Sequence, residues 1–277
     1  MTASKLHLLG TEVVFVEELL RSNSLLQEFR RVYFESGAMK PGGNQNFVQY
    51  TVERLIAVYA YMNLTGLSNV FHMENDNLLY GDLYHLATRM HACNVSIAIA
   101  RASVNQAVTS FVFIRNSKAI EHFAKWIVNV FAMGREKAIQ YLNTRMINDM
   151  TLGARYLRLF AAFPEQSIRT GVFELPTWFY SDNESCCLCH GPSRTPIIFD
   201  ACVLGQYFGG TYAAPNTPHW EKNRLIDPRG LALEWRSSPL KNLKLPYIKG
   251  IQIINLHIHS KRLQKFSSAG NNQSKGF

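Results

Sequence analysis

Short apolar runs alternate with helical segments along most of this 277-residue chain. The runs have the length of β-strands and lie at 13–16, 69–73, 95–100, 110–114, 197–199 and 251–259. Between them, segments such as 52–62 carry an apolar residue every three to four positions, the period of a helix packed on a sheet. Interleaved strands and helices are typical of an α/β protein. We therefore predict a mixed central sheet flanked by helices.

Several segments between the strand-like runs are predicted helices. They are residues 17–32, 80–93 and 118–133, and Ser117 is the predicted N-cap of the last one. Residues 135–162 also have helical character, and Pro164 is predicted to end that helix. Residues 211–247 show little periodicity and are expected to be irregular.

Two carboxylates follow the predicted strand at 69–73, one residue apart. They are Glu74 and Asp76. Ligands of open α/β sheets bind at the carboxyl ends of strands, and paired carboxylate oxygens suit a hard divalent cation that also holds phosphates. The alternative is an ordinary turn, because Asp and Asn favour turns after a strand.

A set of short motifs recurs in a fixed order after residue 50. The motifs are RL at 54–55, END at 74–76, GDL at 81–83, TSFVFIRN at 109–116, NDM at 148–150, LP at 175–176 and NLHIHSK at 255–261. In this order they resemble the signature of GT-A-fold glycosyltransferases, above all the glycogenin and bacterial galactosyltransferase type. The set is also similar to a group of uncharacterised glycosyltransferase-like proteins. The resemblance covers roughly residues 50–265 and depends on the ordered set.

The resemblance implies a single GT-A-like (Rossmann-like) domain over residues 1–265, followed by a flexible basic tail at 266–277. It implies transfer of a sugar from a nucleotide-sugar donor to a glycan, lipid or protein acceptor. The implied cofactor is a divalent cation, Mn²⁺ or Mg²⁺, because a cation neutralises the diphosphate that leaves during transfer.

The metal ligands that the resemblance implies are Glu74, Asp76, His257 and His259. Asp76 would be the principal carboxylate, with Glu74 assisting. His257 and His259 alternate along a predicted strand and so point to one face, and neutral imidazole accepts a transition-type ion such as Mn²⁺. His257 is the favoured ligand, and a histidine pair on a polar sheet face is the alternative.

Other residues receive roles in binding and catalysis from the same resemblance. Arg54, Asn75 and Lys261 would bind the nucleotide-sugar, with the two basic side chains on the diphosphate. Asp149 and Asp200 would orient the acceptor hydroxyl or the donor sugar. Each aspartate also fits a helix N-cap, a position that Asp commonly occupies.

The chain departs from the family pattern in two ways. Its acidic motif is E-x-D in place of D-x-D, and the segment before this motif has fewer predicted strands than the family. Only residues 13–16 have strand character before residue 69, where two or three nucleotide-binding strands are expected. We therefore expect the first nucleotide-binding strands to be missing, and the chain to be truncated or inactive. A non-catalytic carbohydrate-binding protein, or a degenerate glycosyltransferase-like protein, is the alternative function. A basic nucleic-acid-binding protein is the third and least favoured.

The net charge of +9 is concentrated at the C-terminal end of the chain. Eleven Lys/Arg and three Asp/Glu lie between His219 and Phe277. Such a segment favours an anionic partner: phosphate, nucleic acid or an acidic membrane surface. Because no nucleic-acid-binding motif occurs, we expect phosphate binding and no nucleic-acid partner, with peripheral membrane contact allowed.

Three of the five cysteines lie in the segment CCLCH at 186–190. An odd number of cysteines does not suggest a disulfide framework, so we expect a reducing, cytoplasmic location. The segment matches the C-x-x-C-H haem-attachment pattern and could also supply zinc ligands. A reactive surface loop is the favoured interpretation.

Replacing Lys261 by alanine should weaken donor binding or turnover much more than replacing Lys275. A charge-assisted hydrogen bond to phosphate is worth about 1.5–3 kcal/mol, or roughly tenfold to a hundredfold. Lys275 lies close to the chain end and should be nearly silent. Donor titrations of both variants at two salt concentrations check this. Equal, salt-dependent losses would instead indicate diffuse binding of polyanions.

Overall fold

The computed structural model describes residues 12–37, 45–177, 188, 196–209, 225–238, 243–258 and 263–268. The chain divides into two compact units. Residues 1–68 and 116–148 form the first unit, and residues 69–115 and 149–277 form the second. The protein is a mixed α/β protein, as predicted. The GT-A identity and the single domain over residues 1–265 stay predictions.

The described helices are numbered in chain order. They are α1 Val16–Ser22, α2 Ser24–Glu35, α3 Gln45–Thr65, α4 Leu83–Ala92, α5 Ser117–Ala132, α6 Arg135–Leu142, α7 Asp149–Phe160, α8 Pro164–Thr170 and α9 Leu204–Phe208. A 3₁₀ helix spans Leu263–Phe266.

The described strands follow the same numbering. They are β1 Val70–Met73, β2 Asn77–Leu79, β3 Ile97–Ser103, β4 Gln106–Ile114, β5 Val172–Leu175, β6 Ile197–Ile198, β7 Glu234–Ser237, β8 Lys244–Ile248, β9 Ile251–Ile253 and β10 Asn255–His257.

The described part of the first unit is helical, and aromatic side chains fill its core. Phe29 and Tyr33 from α2 pack on Phe131 from α5, and all three are buried. The Phe29 and Phe131 rings meet edge to face at a centroid distance of 5.5 Å, a favourable aromatic geometry. Arg30 of α2 and the buried Glu53 of α3 form an ion pair.

The strand predicted at 13–16 is wrong. Residues 12–15 have no regular structure, and α1 begins at Val16. Glu17 and Glu18 then occupy the first turn of α1, where carboxylates interact favourably with the helix dipole. Within residues 12–37 and 45–68 no strand forms. The expectation that nucleotide-binding strands are missing before β1 stays a prediction.

Two predicted helices are each divided in the structure. The helix predicted at 17–32 breaks at Asn23, whose side chain accepts a hydrogen bond from the Leu26 N–H and caps α2. The helix predicted at 135–162 ends at α6 and resumes at α7, with Asn143 in the left-handed conformation between them. Pro164 begins α8 and does not end a helix, because proline is well suited to the first helical position. Asn116, the residue before the predicted cap Ser117, caps α5.

The main sheet of the second unit has the strand order β1-β4-β3-β5. Strand β4 is antiparallel to both β1 and β3, whereas β5 is parallel to β3. Strands β3 and β4 are mostly buried, as expected for the centre of a sheet. Strand β1 lies at one edge, so the acidic residues that follow it leave the sheet at that edge.

The segment 251–259, predicted as one strand, contains two. Strand β9 lies in a second sheet of order β6-β9-β8-β7, and β10 pairs with β2 in a separate antiparallel ladder. The change occurs at Ile254, whose N–H donates to the Ile198 carbonyl while its own carbonyl accepts from the Tyr80 N–H. Strands β2, β7 and β8 were not predicted; β7 and β8 lie in the segment expected to be irregular.

The first residue of the predicted flexible tail belongs to the 3₁₀ helix. Phe266 is buried at the end of the 3₁₀ helix, and its carbonyl accepts a 2.6 Å hydrogen bond from the Tyr80 hydroxyl. Burial raises the pKa of Tyr80, so this hydroxyl stays protonated and remains a donor. Residues 269–277 lie outside the described part of the chain.

Two observations bear on the compartment. Among the described helices, none combines the length and apolar character needed to cross a bilayer. Cys93 is disulfide-bonded, whereas Cys202 is not part of a disulfide. Disulfides are typical of oxidising compartments, which weighs against the reducing environment inferred from the cysteine count. The cytoplasmic location stays a prediction.

Candidate metal centre

The acidic residues lie in a tight connection between β1 and β2. The Glu74 N–H donates to the Ser110 carbonyl of β4 at 3.0 Å, which continues the β1–β4 pairing by one residue. The Asn77 N–H donates to the Glu74 carbonyl at 3.1 Å and closes the turn. The backbone on both sides of Asp76 is therefore fixed against the sheet.

Antiparallel pairing of β2 with β10 brings a histidine to this turn. His257 lies opposite Asn77 in the ladder, and the Ile258 N–H donates to the Asp76 carbonyl at 2.8 Å. The Nε2 atom of His257 is 2.9 Å from Asp76 Oδ1 and 3.1 Å from Glu74 Oε2. The predicted proximity of Asp76 and His257 is confirmed.

The three side chains form a cluster that could hold a metal ion. One donor atom from each of Glu74, Asp76 and His257 lies within 4.8 Å of the others. Two donors at right angles around an ion, each about 2.1 Å from it, are about 3.0 Å apart. The measured separations of 2.9 and 3.1 Å match this value.

One side of the cluster is buried in the protein, and the other side is accessible to solvent. The His257 and Asp76 side chains are 3% and 8% exposed, whereas the Glu74 side chain is 24% exposed. Asn75, between the two carboxylates, is exposed. A small ligand could therefore approach from the side of Glu74 and Asn75.

The second ring nitrogen of His257 contacts two further side chains. Its Nδ1 atom is 2.9 Å from Ser110 Oγ and 3.0 Å from Cys202 Sγ. Metal-binding histidines commonly use their other ring nitrogen in a hydrogen bond that fixes the ring. The ring of His257 is held from both nitrogens.

Asp200 supports the cluster and is not part of it. Its carboxylate accepts four backbone hydrogen bonds of 2.8–2.9 Å, from the N–H groups of Val203, Leu204, Gly205 and His257. Burial raises the pKa of the Asp200 carboxyl, and the backbone hydrogen bonds from His257 and Gly205 oppose that shift. With both oxygens occupied and the residue buried, the geometry gives Asp200 a positioning role. Its predicted catalytic role gains no support.

Two buried amides connect the strands around the cluster. Asn77 donates to the Ser110 carbonyl at 3.0 Å and accepts from Asn255 Nδ2 at 2.9 Å. The Oδ1 atom of Asn255 accepts from the Asp200 N–H at 3.1 Å. This relay ties β4, β2, β10 and the Asp200 turn together, so the position of His257 depends on all four.

Asp149 is not brought into the cluster. It is the first residue of α7, and its carboxylate accepts a 2.7 Å hydrogen bond from the Thr109 hydroxyl. Asp149 is not among the three residues whose donor atoms cluster, and its catalytic role stays a prediction.

The remaining predicted residues are placed as follows. Arg54 is a half-buried residue of α3 in the first unit, and the neighbouring Glu53 pairs with Arg30. His259 and Lys261 lie outside the described residues, as do Cys186, Cys187, Cys189 and His190 of the cysteine-rich segment. Their proposed roles stay predictions.

Sequence reasoning missed four residues that hold the cluster. They are Ser110, Cys202, Asn77 and Asn255. Asn77 directly follows the acidic motif and Asn255 begins the histidine motif. Their position at the edges of these motifs could have marked both as candidate site residues. Ser110 lies within the TSFVFIRN motif, but neither this motif nor the sequence around Cys202 assigned a role to these two side chains, because both contacts depend on tertiary structure.

No protein-family model, no curated protein and no solved structure matches the chain. The functional assignment therefore depends on the geometry of this cluster and on the ordered motifs of the sequence.

Replacing Gly205 by alanine should damage the cluster. A Cβ atom there would overlap the His257 carbonyl oxygen and lie 2.6 Å from Asp200 Oδ2. Overpacking of this kind costs about 1–3 kcal/mol or more, measurable by urea unfolding. Alanine at Gly153 in α7 is the control. Its Cβ would lie 3.3 Å from Ala107 Cβ, and the gain in helix propensity of about 1 kcal/mol should offset that contact. Equal stability of the two variants would contradict the proposed tight packing.

Proposed function

We propose that this protein binds a divalent cation, Mn²⁺ or Mg²⁺, at Glu74, Asp76 and His257, and transfers a sugar from a nucleotide-sugar donor to an acceptor. One observation carries the proposal: a histidine from a late strand meets the E-x-D turn with ligand-like spacing. The order of motifs that resembles GT-A glycosyltransferases supports the same function. His259 stays a further proposed ligand.

The donor set favours Mn²⁺ over Mg²⁺. Mg²⁺ prefers oxygen ligands and retains several waters, whereas first-row transition ions bind imidazole nitrogen more readily. One nitrogen and two carboxylate oxygens also leave coordination positions for a ligand, as catalytic metal sites require.

The arrangement suits diphosphate chemistry. A cation held here would neutralise the charge that develops on the diphosphate as the sugar departs. Asp76 and His257 would hold it from the closed side, while Glu74 and Asn75 face the accessible side. Lys261 is proposed to contact the phosphates, and Asp149 to orient the donor or acceptor.

A non-catalytic, degenerate relative is the second candidate, and a specific observation favours it. The described residues before β1 form helices, where the family resemblance calls for nucleotide-binding strands. A protein without those strands could retain the cation cluster and bind a glycan without turning over a donor. Metal binding without hydrolysis or transfer of any nucleotide-sugar would indicate this function.

Mn²⁺ should stabilise the protein through the three proposed ligands. A ligand at one hundred times its dissociation constant adds about 2.7 kcal/mol, which corresponds to roughly 5–10 °C in the unfolding temperature of a domain of this size. Asp76→Asn and His257→Gln should each lose most of that shift. Thermal unfolding with MnCl₂, MgCl₂ or EDTA measures it.

The chain offers a matched control for these variants. His85 and Asp82 form another close histidine–carboxylate pair, 2.8 Å apart, but both side chains are 53% exposed. His85→Gln should keep the full Mn²⁺ shift. If His85→Gln and His257→Gln lose it equally, or if wild-type protein shows no shift, the proposed metal centre is wrong. Adding nucleoside diphosphates to the Mn²⁺ samples then tests for the donor.

A further inference from the structure

We infer that Ser110 and Cys202 are interchangeable positioning residues for His257, and that either one suffices to hold the ring with Nε2 facing the cation. The inference rests on the proposed metal centre and adds to it the groups that make His257 a competent ligand. Neither residue is proposed to touch the cation.

The two groups converge on a single atom. Ser110 Oγ is 2.9 Å and Cys202 Sγ is 3.0 Å from His257 Nδ1. All three residues are buried, so water does not compete for these contacts. A ring nitrogen that carries one hydrogen needs only one hydrogen-bond partner. Either neighbour can be that partner, so the second contact is redundant.

The chemistry of the two groups suits a histidine that binds a cation. A metal bound at Nε2 needs the lone pair of that atom, so the ring proton must lie on Nδ1. Hydroxyl and thiol groups both accept hydrogen bonds as well as donate them. Ser110 or Cys202 can therefore accept the Nδ1 proton, which fixes the tautomer and the ring orientation together.

An irregularity in the main sheet places Ser110. Ile99 of β3 pairs with Val112 of β4, but Ala100 pairs with Val108, so the residues between Val108 and Val112 have no partner in β3. Extra residues of this kind redirect side chains and are frequent near functional sites. Ser110 lies in this bulge, and its carbonyl also anchors Glu74 and Asn77.

A strained turn places Cys202. Its φ of +67° is in the left-handed region, which is unfavourable for a residue with a side chain. The carboxylate of Asp200 holds the N–H groups of Val203 and Leu204 just beyond it, and Gln206 Nε2 lies 3.1 Å from Cys202 Sγ. Non-glycine residues keep such a conformation where their surroundings demand it, often at functional sites.

Calorimetric titration with MnCl₂ tests the redundancy in the whole 277-residue chain with its disulfide intact. Ser110→Ala and Cys202→Ala alone should each weaken Mn²⁺ binding by no more than about threefold, because the other group remains. The double variant should weaken it about 10- to 100-fold, the usual loss when the outer partner of a metal-binding histidine is removed. Cys202→Ser in the Ser110→Ala background should restore binding to within about threefold of wild type.

A glycine variant separates positioning from folding. Cys202→Gly relieves the unfavourable φ, so in EDTA it should unfold at the same temperature as Cys202→Ala or higher. Combined with Ser110→Ala, it should nonetheless bind Mn²⁺ as weakly as the double alanine variant. Affinity that instead follows the unfolding temperature would show a purely structural role and overturn the inference.

The outcomes distinguish this inference from the proposed function. If wild-type protein binds Mn²⁺ and the double variant binds it equally well, the inference is wrong and the metal centre stands. If a single variant already loses tenfold or more, the two residues are not interchangeable and the inference is again wrong. If wild-type protein binds no Mn²⁺, the metal centre fails and the inference fails with it. Should the Ser110→Ala, Cys202→Ala variant fail to fold, the Ser110→Ala, Cys202→Gly variant takes its place, because glycine relieves the unfavourable φ.

Discussion

The pairing of β2 with β10 is the constraint on which the candidate site depends. The two strands come from segments about 180 residues apart, and their register places His257 opposite Asn77, one residue from Asp76. A shift by one residue would turn the histidine to the other face of the ladder. Buried amides reinforce the register, because Asn255 of β10 donates to Asn77 of β2. Asp200 then fixes the His257 backbone through its N–H. The geometry of the cluster is thus a consequence of strand pairing and of the buried hydrogen bonds around it.

Burial explains why so many polar groups support three ligands. A buried polar group without a hydrogen-bond partner costs about 1–3 kcal/mol, so Asn77, Asn255, Ser110 and Asp200 must each find partners once the surrounding strands close over them. They find them in one another, in the His257 ring and in the backbone. Such a network is stable in one arrangement, which gives the cluster a fixed geometry before any ligand arrives. Preorganised donors of this kind are what a metal site requires.

The sequence predicted the local features of the site well because they depend on short-range patterns. The strand before Glu74 and the cap-like surroundings of Asp200 are readable from periodicity and turn chemistry. The two-residue strand β6 and the three-residue strands β2, β9 and β10 are too short to give a clear period, and the division of 251–259 at Ile254 depends on pairing with two different sheets. Residues 13–16 were wrongly predicted to form a strand because an apolar run of four fits a strand or the start of a helix equally well. Ser110 and Cys202 could not be found, since a bulge and a left-handed turn place them.

Crystals grown with MnCl₂ and measured at the manganese absorption edge test whether Glu74, Asp76 and His257 together hold a divalent cation. We expect an anomalous peak bounded by one carboxylate oxygen of Glu74, one of Asp76 and Nε2 of His257, each about 2.0–2.3 Å from the ion. Saturating MnCl₂ could instead leave no peak at this position, with Nε2 still 2.9 Å from Asp76 Oδ1. That result would show that the cluster is a buried histidine–carboxylate pair and that it does not bind the cation.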